Sequence, residues 1–229
     1  MLALLSLCLT IGVYYVSKWL YQQSNNLILS PLVICPVTLV AVLTVSSVPY
    51  ASYNSGGHFL SYMLEPATVA MAVPMYKYRI IIKNYLTEIL ISVTGAATIA
   101  IVTSIGTAEQ LGINAQITSS LAPRSITTPM AMNVSQMLGG NPTLTAVFVI
   151  ITGIIGVFIT SFLLRLFPIK RSITKGMMFG ITAHGTGISK AYEAGTLEGA
   201  VASIAMVLMG LITTIIAPLL VPSFLQFFG

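Results

Sequence analysis

Aspartate is absent from all 229 residues, and five glutamates carry the whole acidic complement. Charged residues of both signs amount to 7%, and there are two histidines, two cysteines and one tryptophan. These shortages exclude much. There is no HExxH pair for zinc, no phosphate-cradling P-loop and no GxSxG nucleophile elbow, which removes the usual metalloprotease, nucleotide-hydrolase and serine-hydrolase constellations. Cys8 and Cys35 lie in apolar stretches without the spacing of a metal or redox motif. Neither Glu193 nor Glu198 has neighbours spaced as metal ligands. We expect no catalysis, no metal and no cofactor.

What is abundant is apolar. Hydrophobic residues make up 56% of the chain and the mean hydropathy is +0.94, far above a soluble globular domain. The chain reads as a single integral membrane domain over 1–229, all-α and polytopic. The net charge of +5 comes from few basic residues at the edges of apolar runs, so it reports membrane orientation rather than nucleic-acid binding. The first run is read as a retained span, closed by Lys18, Trp19 and Tyr21 at the interface. Further spans are expected near 27–48, 58–76, 84–106, 142–166 and 199–221. Ser30 with Pro31, and Asn141 with Pro142, have the cap and first-turn pattern of helix starts. Ser92, Ala96, Ala100 and Ser104 form a stripe of small residues on the fourth span, suited to close helix approach or a homodimer.

Two segments do not fit lipid-facing helices. Residues 118–137 are polar and proline-rich, and 176–191 are rich in glycine. Irregular backbone at membrane depth is tolerated only where it is buried in protein or lines a cavity, so both are expected to be broken or re-entrant. The count is about six full spans plus these two. If both segments return to their own side, the basic clusters around Arg79 and Arg171 share one face, cytoplasmic by the positive-inside rule.

A weak internal repeat, centred on 58–76 and 118–137, points to a site. "LEPATVAMAVPM" from Leu64 and "LAPRSITTPMAM" from Leu121 match Pro66 to Pro123 and Thr68 to Ser125 at a shift of 57 residues. Proline favours a first helical turn and breaks an interior one, so half-helices starting near Pro66 and Pro123 are expected. Paired discontinuous helices in inverted repeats commonly build the substrate sites of secondary transporters. Arg124 would then offer its fork of donors, beside free backbone N–H groups, to a carboxylate. Ser125, Thr127 and Thr128 add hydroxyls, and Asn133 further along completes that side. Glu65 is read as the internal partner of Arg124 or as a proton-carrying carboxyl. The plainer readings are a loop-boundary N-cap for Glu65 and a headgroup-snorkelling Arg124. His184, among the small residues of "FGITAHGTGISKAYEAG", is either part of a polar passage or a packed, hydrogen-bonded side chain.

Three blocks in order, "LEPATVAMAVPMYK", "APRSITTPMAMNVSQMLGGNPTLTAVFVIITGIIG" and "AHGTGISKAYEAGTLEGAVASIAM", make the chain resemble the LrgB/CidB family over nearly its whole length. That resemblance implies a bacterial inner-membrane protein, described as antiholin-like or as a modulator of murein hydrolase activity and lysis. It also implies a small LrgA/CidA-like membrane partner. A related plastid protein exchanges glycolate and glycerate, and bacterial relatives are linked to pyruvate uptake. The functional expectation is therefore a secondary carrier of small monocarboxylates, proton-coupled or exchanging. The alternative is a non-transporting regulator that controls a holin-like partner by helix packing.

Overall fold

The computed structural model describes residues 2–24, 27–63, 66, 69–70 and 72–228, which are helical with short links and contain no strand. They form two compact units, Met1–Ala72 and Val73–Gly229. In the first, α1 (Leu2–Ser24) packs against α2 (Pro31–Val45) and α3 (Tyr50–Tyr62). Ser30 occupies the N-cap of α2 with Pro31 behind it, but its side chain makes no capping bond. Pro36 lies inside the helix. Polar contacts link these helices: Thr10 Oγ1 meets Tyr53 Oη at 2.7 Å, and Cys35 Sγ donates to Ser17 Oγ at 3.6 Å.

The second unit contains α4 (Ala72–Lys77), α5 (Arg79–Asn84), α6 (Leu86–Gln110), α7 (Ala115–Leu121), α8 (Thr128–Met137), α9 (Pro142–Leu166), α10 (Ser172–Ala194) and α11 (Thr196–Phe228). On α6, Ile89, Val93, Ala97, Ile101 and Ile105 are buried at four-residue steps, the spacing that keeps one helical face inward. They join Val201, Ala205, Met209 and Ala217 of α11 in one core. Outward-facing Ile91, Phe162 and Ile215 are half exposed or more, an apolar exterior that matches lipid. Asn141 caps α9 as its spacing predicts, accepting from the N–H groups of Thr143 and Leu144.

Among the described residues four helices are long and apolar enough to cross a bilayer: Leu4–Ser24, Leu86–Gln110, Pro142–Leu166 and Thr196–Gln226. Val33–Val45 is a shorter apolar helix. The expected span over 58–76 falls partly outside the described residues.

A regularity of length runs through the second unit. A shift of 56 residues carries Leu86–Gln110 onto Pro142–Leu166, and a shift of 57 carries the stretch 115–137 onto Ser172–Ala194. Each half is therefore a 25-residue helix followed by a 23-residue broken one. The two breaks differ. Residues 122–127 form a turn-like link between α7 and α8, whereas α10 is interrupted at His184 alone, with φ 38° and ψ −123°. The second half of α10 folds back on the first: a Cβ on Gly187 would run into the carbonyl oxygen of Phe179. Eight residues of continuous helix would separate those positions by about 12 Å. The pairing of Gly176 with Glu198 and of Gly180 with Ala202 runs in the same direction along α10 and α11. Helices that follow each other across a one-residue link run that way only if the chain has reversed in between. The segment over 176–191 is thus re-entrant.

Candidate binding cleft in the second unit

The cleft grows out of the two breaks. Pro123 cannot donate a backbone hydrogen bond, and the chain leaves the helix there in a turn closed by the N–H of Arg124 donating to the carbonyl of Leu121. The next helix starts only at Thr128, with Thr127 at the N-cap and Pro129 in the first turn. The expectation that the half-helix begins near Pro123 is corrected accordingly. Pro129 supplies the first-turn proline, and Pro123 ends the preceding helix. Arg124 and Ser125 lie in the link and line a cleft of about 450 Å³.

Mid-length residues of both long helices form much of its walls, Ala96, Ile99 and Ala100 from α6 and Thr152, Ile155 and Gly156 from α9, with Ile159, Met209 of α11, and Ile181 and Thr182 from the edge of the second break. The mid-length positions are near the eleventh to fifteenth residues of 25-residue spans, which sets the cleft near the bilayer midplane. Arg124 is half-buried and donates from Nε to Ser104 Oγ at 2.9 Å, while Ser104 donates to the carbonyl of Ala100 at 2.5 Å. Among the described residues no carboxylate pairs with Arg124. Its remaining guanidinium donors have no partner there, so a cation stands at membrane depth with its fork unfilled.

Hydroxyl groups hold the first break in place. Thr145 Oγ1 is fully buried and lies 3.0 Å from the carbonyl of Ser120 and 2.7 Å from Ser135 Oγ, tying α7, α8 and α9 together. The N–H of Asn141 donates to Ser120 Oγ at 2.7 Å. Glycine makes room at the second. A Cβ on Gly156 would collide with the carbonyl oxygen of Thr182, one of the groups released where α10 stops being helical. A Cβ on Gly153 would lie 3.0 Å from His184 Cε1. Thr160 and Thr182 join their hydroxyls at 2.6 Å across the same interface, and Thr186 Oγ1 donates to the carbonyl of Ala183 at 2.6 Å.

His184 is 2% exposed, and its Nε2 is buried without a partner among the described residues. Arg124 lies within electrostatic reach of it. The ring packs beside the cleft and does not line it. Its backbone is in the positive-φ region, which costs a non-glycine residue on the order of 1–3 kcal/mol.

Of the residues singled out from sequence, Arg124 and Ser125 line the cleft, and Pro123, Thr127 and Thr128 frame its link. Asn133 is exposed on α8 and does not line it. Pro66 belongs to the first unit and is exposed; Glu65 and Thr68 lie outside the described residues. Sequence reasoning passed over Thr152, Gly156, Thr160, Ile181 and Thr182. The first, second and third, spaced by four, were a readable small-residue stripe on α9.

The LrgB-like family model matches residues 10–223. YwbG of Bacillus subtilis (strain 168) is 43% identical over 219 residues, covering 96% of this chain and 97% of that protein. Holin-like protein CidB of Staphylococcus epidermidis is 37% identical over 219 residues, 96% of each chain. Antiholin-like protein LrgB of Bacillus mycoides is 31% identical over 210 residues, 91% of each. No solved structure matches. With several long apolar helices and relatives of this kind across nearly its full length, the chain is a multi-pass bacterial membrane protein. It belongs to the LrgB-like family.

Proposed function

We propose that this protein is a secondary carrier of small monocarboxylates, with Arg124 as the group that receives the carboxylate. One observation carries the reading. An arginine without a carboxylate partner among the described residues lines a cleft at the mid-length of two spans, between two broken helices. An isolated charge at that depth costs several kcal/mol, a cost that an arriving anion offsets. Ser125 adds a hydroxyl beside the guanidinium. The volume of about 450 Å³ suits a small organic acid. In liposomes holding the purified chain, labelled pyruvate, glycolate or lactate should cross, and Arg124→Ala should slow that flux about 10-fold or more, the scale of a lost charge-assisted bond. Wild-type flux unchanged in Arg124→Ala would reject this site.

A second reading draws on the names of the relatives, which weigh toward it more than toward transport. Holin-like CidB and antiholin-like LrgB suggest a non-transporting regulator of murein hydrolase activity and lysis, acting with a small LrgA/CidA-like membrane protein. Absence of flux for every acid, with or without that partner, together with an altered oligomeric state of the partner when the chain is present, would favour it.

A further inference from the structure

We infer that Ile181 sets the charge selectivity of the cleft, restricting it to anions with one carboxylate and an uncharged tail. This rests on the anion-site reading of Arg124 above. The observation behind it is the pairing of the cleft walls through the internal repeat. Carried forward by 56 residues, Ala96, Ile99 and Ala100 of α6 become Thr152, Ile155 and Gly156 of α9, and all six line the cleft. Carried forward by 57, Arg124 and Ser125 become Ile181 and Thr182, and these four line it as well. Ten of the twelve lining residues are thus five pairs, each drawing one member from each half of the unit; Ile159 and Met209 complete the lining without a paired counterpart.

Four of the pairs keep their chemistry closely enough to make the two walls alike. Isoleucine faces the position of isoleucine, serine that of threonine, alanine that of glycine, and alanine that of the small residue threonine. Only one pair changes charge, and there a guanidinium corresponds to an aliphatic side chain. A cleft with paired walls and cations at both equivalent positions would bind an anion at each end. This one has a cation at one of the two corresponding positions and, at the other, Ile181, half-buried and packed on the apolar core. A ligand's carboxylate belongs at Arg124 and Ser125. Its far end meets Ile181, where a second carboxylate would lose its water and gain no charged partner among the described residues. The hydroxyl of Thr152, which also lines the cleft, can accept a neutral polar group of the ligand.

The test compares lactate with malate, which share a 2-hydroxy acid head and differ in whether the tail carries a second carboxylate. Binding is read as ligand-induced thermal stabilisation of the detergent-solubilised chain, and transport as flux into liposomes. Wild type should prefer lactate by at least about 10-fold. Ile181→Arg, which restores a cation at the paired position, should move the lactate-to-malate ratio at least about 10-fold toward malate. Ile181→Gln, neutral and similar in length, should move it about 3-fold and decides the matter if the arginine variant is not monodisperse. Ratios within twofold of wild type in monodisperse variants would overturn the assignment, as would a wild type that binds neither acid. If the expected shifts appear in binding while no acid crosses the membrane, the carrier reading fails and the role of Ile181 stands.

Discussion

The two broken helices of the second unit have the same length and wall the same cleft, yet different forces keep them open. Across 115–137 the break is the six-residue link 122–127 containing Pro123, braced by hydroxyls: Thr145 at the centre, Ser120 and Ser135 around it, and Ser104 under Arg124. Across Ser172–Ala194 the break is a single strained residue, and the bracing is contact, with glycines at 153, 156, 176 and 180 letting α9 and α11 close on it. Hydrogen bonds fix direction and leave room between backbones. Glycine contacts fix distance and leave none. The comparison suggests why the charged residue stands in the first break: a link with space and polar partners can hold an arginine, whereas a tightly packed reversal would have to bury it dry.

That contrast can be broken in order of expected effect. Gly156→Leu places a side chain against the backbone of Thr182, which cannot yield like a flexible side chain; a loss of about 3 kcal/mol or failure to fold is expected, read by thermal unfolding in detergent. Arg124→Met removes the unpaired cation. It should lower lactate affinity about 10- to 100-fold while raising the melting temperature of the anion-free protein, because an uncompensated buried charge disfavours the folded state. A fall in that melting temperature would show that the guanidinium is already compensated.

Thr145→Val keeps the shape and removes the hydroxyl hub of the first break. It should cost about 1–2 kcal/mol, and by the contrast drawn above should leave the accessibility of a cysteine introduced at Thr182 unchanged. At the second break, His184→Gly should be more stable than His184→Ala by about 1 kcal/mol, since both lose the ring but only glycine relieves the positive φ. Equal stabilities would mean that the strain is not real. The smallest effect belongs to Thr160 and Thr182, whose coupling in a double-mutant cycle of valine substitutions should be about 0.6 kcal/mol.

By itself the sequence determined the class, four of the six expected spans and the two segments that are broken, with the place of the break legible only in the first. Long apolar runs must become helices in a bilayer, Asn141-Pro142 must start one, and proline with an arginine in an apolar chain marks irregular backbone wherever it lies. It also carried the 57-residue period, although in "LEPATVAMAVPM" that signal paired 121–132 with a stretch only partly among the described residues, and not with the stretch from 178 that the helix lengths reveal. Tertiary structure alone decided that α10 reverses at His184, that Arg124 precedes its helix by four residues, and that Ile181 and Thr182 line the same cleft as Arg124 and Ser125. The reason is physical. Proline breaks a helix by its own covalent geometry and can be read in place, whereas a histidine takes a positive φ only because glycines on α9 and on α10 itself let the neighbouring backbones come close enough to hold it there.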